Sequence, residues 1–486
     1  MNWFRPGSGR MDRIQNALFS AAEAASWSDG IITGDPLSEV FEVVIDSRAC
    51  APGTLFIALK GEKTDGHNYL DKAFEAGASG VIASRQWLSG NKIPDIPEGG
   101  FLLSVSDPLE ALQVIASVYL RGIKHPVRIG ITGSNGKTTT KELVSAVLSK
   151  KYSVVKTKGN FNSEIGLPLT VFNIKESHDY AVIEMGINRM GEMDVLTEIL
   201  RPDIVVITNI GTAHIGIFKN VKTIASEKRR SVSLFNKAGV LFLYEDEEFK
   251  EFLAEDLSGN LQLFGRRSLE SGGHIVQSED KGLGGWQISL DGQDISYPLI
   301  GEHNLKNAFC AVEIGEYAGV SLEFIAAALT EAQPLFGRGQ IINGPVTIIQ
   351  DCYNANADSL ISSIRFADDL EWAGAKRYVI GDMKELGECG LEIHEAAGRA
   401  AASGSADEVF FFGEDAEDAY KAAMAAGVKM GGNVPRFFWT TDFKQLEFEL
   451  FKSLSTGDLL LLKASRSMNL ERLVEPVVNY NRGERC

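Results

Sequence analysis

From Val127 onward, short apolar runs recur along the chain: "VRIGITG", "DYAVIEMG", "DIVVITNIG" and "GVLFLY", each ending in Gly, polar or acidic residues. Stretches of helical spacing lie between them. Continuous apolar runs of this length suit strands buried on both faces, so the pattern predicts a parallel sheet with helices between strands. After "LTEAQPLFGRGQ" the pattern restarts with "VTIIQDCYNAN", "RYVIGDM", "EVFFFG", "RFFWT" and "DLLLLKAS", next to Ala-rich helical stretches. That predicts a second α/β sheet. Upstream, "FEVVIDSR", "GTLFIALKG" and "NYLDKAFEAGASGVIAS" read as a smaller α/β unit. Residues 273–300 alternate between apolar and polar with glycine turns, which predicts a β-hairpin insertion. The expected class is therefore α/β in three domains, 1–125, 126–332 and 333–486.

Length supports that division, because 486 residues exceed one ordinary core. A net charge of -17 argues against a general nucleic-acid or anionic-membrane surface, so any anionic ligand must be met by local Lys, Arg or helix N-termini. No apolar run is long enough to span a bilayer and the first 30 residues show no secretion signal, which gives a cytoplasmic expectation. Cys50, Cys310, Cys352, Cys389 and Cys486 are scattered and odd in number, fitting reduced thiols rather than a disulfide framework or a zinc site.

Candidate chemistry begins at "RIGITGSNGKTTTKELVSAVLS", residues 128–149. Strand, glycine turn, Lys-Thr and helix follow in the order a phosphate loop requires, although Ile131 stands where the first glycine of the usual spacing would fall. Gly130, Gly133 and Gly136 let the backbone approach an anion; Lys137 can reach terminal phosphates and Thr138 can ligate Mg²⁺. A magnesium-nucleotide site needs a further hard ligand. "YAVIEMG" ends a strand at Glu184, where a parallel sheet lines its ligand crevice. "VVITNIGTAHIG" brings Asn209 and His214 to the same edge.

"TGSNGKTTTKE", "GNFNSEIGLPLT", "IEMGINRMGEM", "RPDIVVITNIGTAHI", "GEHNLKNAF", "DCYNANADSL", "GDMKELGE" and "LLLKASRSMNLERLV" occur in the order seen in the Mur ligases, and the chain resembles that family over roughly residues 40–475. Mur ligases use the same shifted glycine spacing. The resemblance implies an N-terminal UDP-substrate domain, a central ATPase domain and a Rossmann-like C-terminal domain. It implies ATP-dependent addition of D-Ala-D-Ala to UDP-N-acetylmuramoyl-tripeptide through an acyl phosphate. Phosphorylation makes sense chemically, because phosphate leaves a carboxyl carbon far more readily than oxide. ATP and one or two Mg²⁺ are the implied cofactors, and a monomer is expected. The phosphate loop and residues beyond the second linker must meet one ATP, so domain closure is expected as well.

Carried over by resemblance, Gly133, Ser134, Asn135, Gly136, Lys137, Thr138 and Thr139 form the phosphate loop, Glu184 is a Mg²⁺ ligand and His214 a second-metal ligand. Lys228 sits where the family carries a carbamylated lysine; on local sequence alone it reads as a solvated helix residue among Lys228, Arg229 and Arg230. Asn304 and Asn307 resemble adenine-side residues, and locally read equally well as helix caps. Arg338 resembles an arginine at the terminal phosphate and Asp351 a ribose-side residue. Asn354, Asn356, Lys463, Ser465 and Arg466 resemble the surface meeting the dipeptide. Ser47 and Arg48 resemble the uridine-diphosphate end, while Asn160 and Asn162 resemble the substrate loop.

Three positions depart from the family's habit: Ala357 where Pro is usual, Ala464 where Gly is common, and Ser163 where Asn is common. None removes a phosphate or metal ligand. A ligase of another step, a folylpolyglutamate synthase, or a non-catalytic paralogue that only binds precursors are the alternatives. The first domain and "YNANADS" speak against the first two. Joint retention of Lys137, Thr138, Glu184, His214, Lys228 and Arg338 speaks against the third.

Overall fold

The computed structural model describes residues 17–430 and 434–480; Cys486 and the first sixteen residues lie outside them. Two compact units divide the chain. One runs to Pro126 and takes in Lys158–Glu176 and Glu198–Leu200; the other holds Val127–Thr157, Ser177–Thr197 and the chain from Arg201 onward.

In the first unit, β1 (Phe19–Ser20) pairs antiparallel with β3 (Glu39–Val40). The remaining strands, β2 (Ile31–Gly34), β4 (Glu42–Val44), β5 (Thr54–Ile57), β6 (Gly80–Ser84) and β7 (Phe101–Val105), form a sheet in the order β2-β7-β6-β5-β4. It is parallel except at β2, which runs against β7. The helix Pro108–Gly122 starts at Asp107, whose carboxylate accepts from the N–H groups of Leu109 and Glu110, and its buried stripe includes Ala111, Leu112, Ile115, Ala116 and Leu120.

The larger unit contains two six-stranded sheets. The first comprises β8 (Val127–Thr132), β9 (Val154–Lys156), β10 (Tyr180–Glu184), β11 (Ile204–Ile207), β12 (Val240–Tyr244) and β13 (Asn260–Phe264), all parallel, in the order β13-β12-β11-β8-β10-β9. The run "IVVI" of β11 is buried at every position, as a strand covered on both faces requires. Against this sheet packs the helix Lys137–Ser149, burying Leu143, Val144, Val147 and Leu148 beside Ile129, Ile131 and Phe242. Each such side chain contributes about 1.5–3 kcal/mol on burial, which fixes the helix start against the end of β8. The expected hairpin is a three-stranded antiparallel meander, β14 (Val276–Asp280), β15 (Trp286–Leu290) and β16 (Gln293–Tyr297).

The second sheet comprises β17 (Gln340–Ile342), β18 (Thr347–Gln350), β19 (Lys376–Gly381), β20 (Glu408–Phe412), β21 (Arg436–Thr440) and β22 (Leu459–Lys463) in the order β17-β18-β22-β19-β20-β21. Only β17 is antiparallel to its neighbour. The α/β class read from the sequence holds. Among the described residues no helix is long and apolar enough to cross a membrane. The described cysteines, Cys50, Cys310, Cys352 and Cys389, are free thiols.

Candidate active site

The site is built on the turn that follows β8. Gly133 has φ +142°, and a Cβ there would stand 1.9 Å from Oγ1 of Thr208 at the end of β11, so the close approach of the two strand ends demands glycine. The loop is pinned from that neighbouring edge. Asn209 accepts from the Ser134 N–H through its carbonyl at 2.9 Å and from the Asn135 N–H through Oδ1 at 3.0 Å. Ser134 Oγ accepts from the Gly211 N–H at 2.8 Å. No side chain caps the helix that starts at Lys137, and its first-turn N–H groups form the positive end of the helix dipole.

Four elements bring side chains to this turn. The Lys137 ammonium donates to the carbonyls of Gly133 at 2.8 Å and Ser134 at 3.2 Å. Burial pushes its pKa down; Glu184 raises it in part and Arg338 lowers it further. From the end of β10, Glu184, 2% exposed, accepts from Thr138 Oγ1 at 3.2 Å. Thr138 Oγ1 in turn accepts from Nη2 of Arg338 at 3.2 Å, and the Arg338 guanidinium lies 4.2 Å from the Tyr353 ring centre. Lys228, 3% exposed, reaches in from the helix Val221–Arg229 and donates to the Gly133 carbonyl at 2.9 Å. The local reading of Lys228 as a solvated lysine is therefore wrong. Burial pushes its amine well below the ordinary lysine range, the neighbouring Lys137 charge adds to this, and Glu227 offsets part.

The buried amides of Asn304 and Asn307 brace this helix. Asn307 Oδ1 accepts from Thr140 Oγ1 at 3.1 Å, Asn307 Nδ2 donates to Asn304 Oδ1 at 3.3 Å, and Asn304 Nδ2 donates to the Ile300 carbonyl at 2.8 Å. Neither side chain caps the helix Glu302–Tyr317.

The second sheet meets the same loop. Asn356 caps the helix Ala357–Asp369 in a reciprocal box with Ser359 and donates from Nδ2 to Asn135 Oδ1 at 2.7 Å. Asp358 accepts from the N–H and hydroxyl of Thr212 at 2.8 and 2.9 Å. Two residues beyond Thr212, His214 places Nδ1 2.6 Å from Oε2 of Glu385, turned off the ideal donor direction. Asp358 and Glu385 carried no sequence expectation; "GDMKELGE" marked the segment of Glu385 without singling it out.

Other predicted residues of the second sheet face one another. Lys463 is buried and pairs with Asp351 Oδ2 at 2.8 Å and with the Asn354 carbonyl at 2.9 Å. Ser363 Oγ donates to the same Asp351 oxygen at 2.6 Å. Ser465 Oγ accepts from the Lys384 N–H, and Arg466 pairs with Glu471 at 2.5 Å. In the smaller unit, Ser47 and Arg48 lie on a 3₁₀ turn capped by Asp46, with the Arg48 side chain 88% exposed. Hydrogen bonding to Arg48 draws the Asp46 carboxyl down to about 2. Asn160 and Asn162 share a tight turn in the Lys158–Glu176 segment, the Asn162 N–H donating to the Asn160 carbonyl at 2.8 Å.

Three segments of the chain match family models. Residues 39–119 match the family model described as Mur ligase family, catalytic domain; 131–315 match Mur ligase middle domain; 337–466 match Mur ligase, glutamate ligase domain. A UDP-N-acetylmuramoyl-tripeptide--D-alanyl-D-alanine ligase from Treponema pallidum is 36% identical over 90% of this chain and 94% of its own. Among solved structures, a MurF from Acinetobacter baumannii superposes with TM-score 0.83 at 28% identity, covering 95% of this chain and 99% of that one. MurF from Thermotoga maritima in complex with ADP gives 0.74 at 27% identity, covering 89% and 96%. On sequence and on structure alike, the chain belongs to the Mur ligase family.

Proposed function

We propose that the chain is an ATP-dependent, ADP-forming ligase that adds D-Ala-D-Ala to UDP-N-acetylmuramoyl-tripeptide. The observation that carries this reading is the convergence of Lys137, Glu184, Lys228 and Arg338, from four separate elements, on residues 133–138. The relatives' names supply the substrates. In this reading the N-terminal domain, 1–125, takes the UDP end with Ser47 and Arg48, the central domain, 126–332, takes ATP, and the C-terminal domain, 333–486, takes the dipeptide.

The tripeptide's terminal carboxylate attacks the γ-phosphorus of ATP and ADP leaves. The dipeptide amine then attacks the acyl carbon, loses a proton, and the tetrahedral intermediate expels phosphate. Two anions must meet in the first step. Lys137 and Arg338, with the N–H groups of the loop, offset that repulsion and stabilise charge on the transferring phosphoryl group. Asn304 and Asn307 hold the helix that carries the loop, and Asp351 keeps its proposed role on the ribose side.

A hydroxyl and a carboxylate in contact, Thr138 and Glu184, are the hard oxygen donors Mg²⁺ prefers. Mg²⁺ takes most of its shell from phosphate and water, so one or two protein oxygens suffice to hold it. Thr138 and Glu184 would hold one Mg²⁺, and His214 with a carbamylated Lys228 a second. Bound there, the cation supplies charge neutralisation and Lewis acidity. A cytoplasmic location, which ATP and a UDP-linked substrate suit, and a monomeric state belong to the same proposal.

Phosphate release tests the proposal, measured with ATP, Mg²⁺ and UDP-muramoyl-tripeptide, with and without D-Ala-D-Ala, and the product weighed by mass spectrometry. Release that needs both substrates, with a mass gain of one dipeptide, is expected. Turnover with another acceptor alone would move the enzyme to a different step, and no turnover would favour a binding protein.

A further inference from the structure

His214 follows the loop that touches Ser134, and its partner comes from the second sheet of the larger unit. Glu385 lies in the turn after β19, and the whole approach is fixed by backbone. The Gly216 N–H donates to the Glu385 carbonyl at 3.1 Å, and a Cβ on Gly216 would stand 2.4 Å from the Gly387 nitrogen, so only hydrogen fits between the two segments. Both partners also hold unfavourable backbone angles, φ +59° at His214 and φ +67° at Glu385. Non-glycine residues keep such angles where the surroundings impose them, and they cluster at functional sites.

The turn carrying Glu385 is clamped on its other side. The Met383 N–H donates to Nε2 of His394 at 3.1 Å, and the Lys384 N–H donates to Ser465 Oγ at 2.8 Å. Lys384's ammonium is spent on Asp382 and Asp415, both at 2.8 Å, which leaves the Glu385 carboxylate to the imidazole. That carboxylate is 53% exposed, so its position is not a by-product of core packing.

We infer that Glu385 is a positioning residue for His214: its carboxylate engages Nδ1, so that Nε2 is the nitrogen offered to a divalent cation. A carboxylate on one ring nitrogen sets the tautomer and orientation of a metal-binding histidine and raises its basicity. Because Glu385 belongs to the second sheet, the cation site on the first is complete only while the two are docked, which ties metal binding to domain closure. This inference rests on the proposed role of His214 as a metal ligand.

Mn²⁺ serves as the probe, with a non-hydrolysable ATP analogue and the full chain. Bound Mn²⁺ is counted and its affinity measured by electron paramagnetic resonance in wild type, H214A, E385A and E385D, and the His214 tautomer is read from ¹⁵N shifts. Expected are loss of one Mn²⁺ in H214A, an affinity for that same ion about 10- to 100-fold weaker in E385A with a mixed tautomer, and partial recovery in E385D. If H214A loses the ion and E385A binds it like wild type, the inference is wrong while the ligand reading of His214 stands. If H214A keeps both ions, the ligand reading fails and this inference falls with it.

Discussion

At the end of β8 charge is met by backbone, whereas at the ends of β18, β19 and β22 it is met by side chains. Lys137 and Lys228 both donate to the Gly133 carbonyl, and Lys137 and Arg338 gather positive charge around a turn whose own carboxylate contact is Glu184. On the second sheet, Lys463 is matched by Asp351, Lys384 by Asp382 and Asp415, and Arg466 by Glu471. Both regions use the same α/β architecture. An excess of cations beside a glycine turn favours a polyanion arriving from solution, while a self-neutralised set favours fixed geometry. The first region therefore suits phosphoryl transfer, and the second suits orientation of a partner.

That contrast predicts different losses on mutation. K137M is expected to lower kcat by about 10²–10³-fold with little change in thermal stability, because the charge it removes acts on the transferring phosphoryl group; steady-state kinetics and calorimetry on the same preparation check both parts. K463M is expected to reverse the balance. Leaving Asp351 without its buried partner costs about 2 kcal/mol of stability, read by denaturant unfolding. N356A removes a helix cap and its amide contact to Asn135, for about 1 kcal/mol and a raised KM for ATP. Unchanged KM would show that the Asn356–Asn135 bond does not couple the sheets.

The smallest effect lies away from both regions. Burial raises the Glu313 carboxyl to about 7 from 4.5, with Glu316 adding to the rise and Ser268 and His274 opposing it. Above pH 4.5 the unfolded chain has released this proton while the folded chain keeps it to about 7, so its contribution to stability is lost as pH rises through that window. E313Q is expected to raise the unfolding midpoint at pH 8 by about 2 °C and to change it little at pH 4, checked by calorimetry at the two pH values.

Central strands were legible because burial on both faces writes a continuous apolar run, as in "IVVI" and "LLLLK". Three edge strands were not, although "RFFWT" of the edge strand β21 was. Asn260–Phe264 alternates with exposed polar residues, and Val154–Lys156 and Gln340–Ile342 are three residues long and at most half buried. The phosphate loop could be read because its chemistry lies within one short segment. Lys228 could not be read from its surroundings, since "SEKRR" does not say which face meets a loop 95 residues earlier. Nor could Asp358 or Glu385, whose partners Thr212 and His214 belong to the other sheet. Motif order supplied what periodicity could not.

The central claim is that the substrate carboxylate is activated by phosphorylation, and oxygen transfer tests it most directly. With the tripeptide's terminal carboxylate labelled with ¹⁸O, turnover in the presence of ATP and D-Ala-D-Ala is expected to release phosphate carrying one ¹⁸O. Phosphate released without label, alongside formation of the amide, would contradict the acyl-phosphate account.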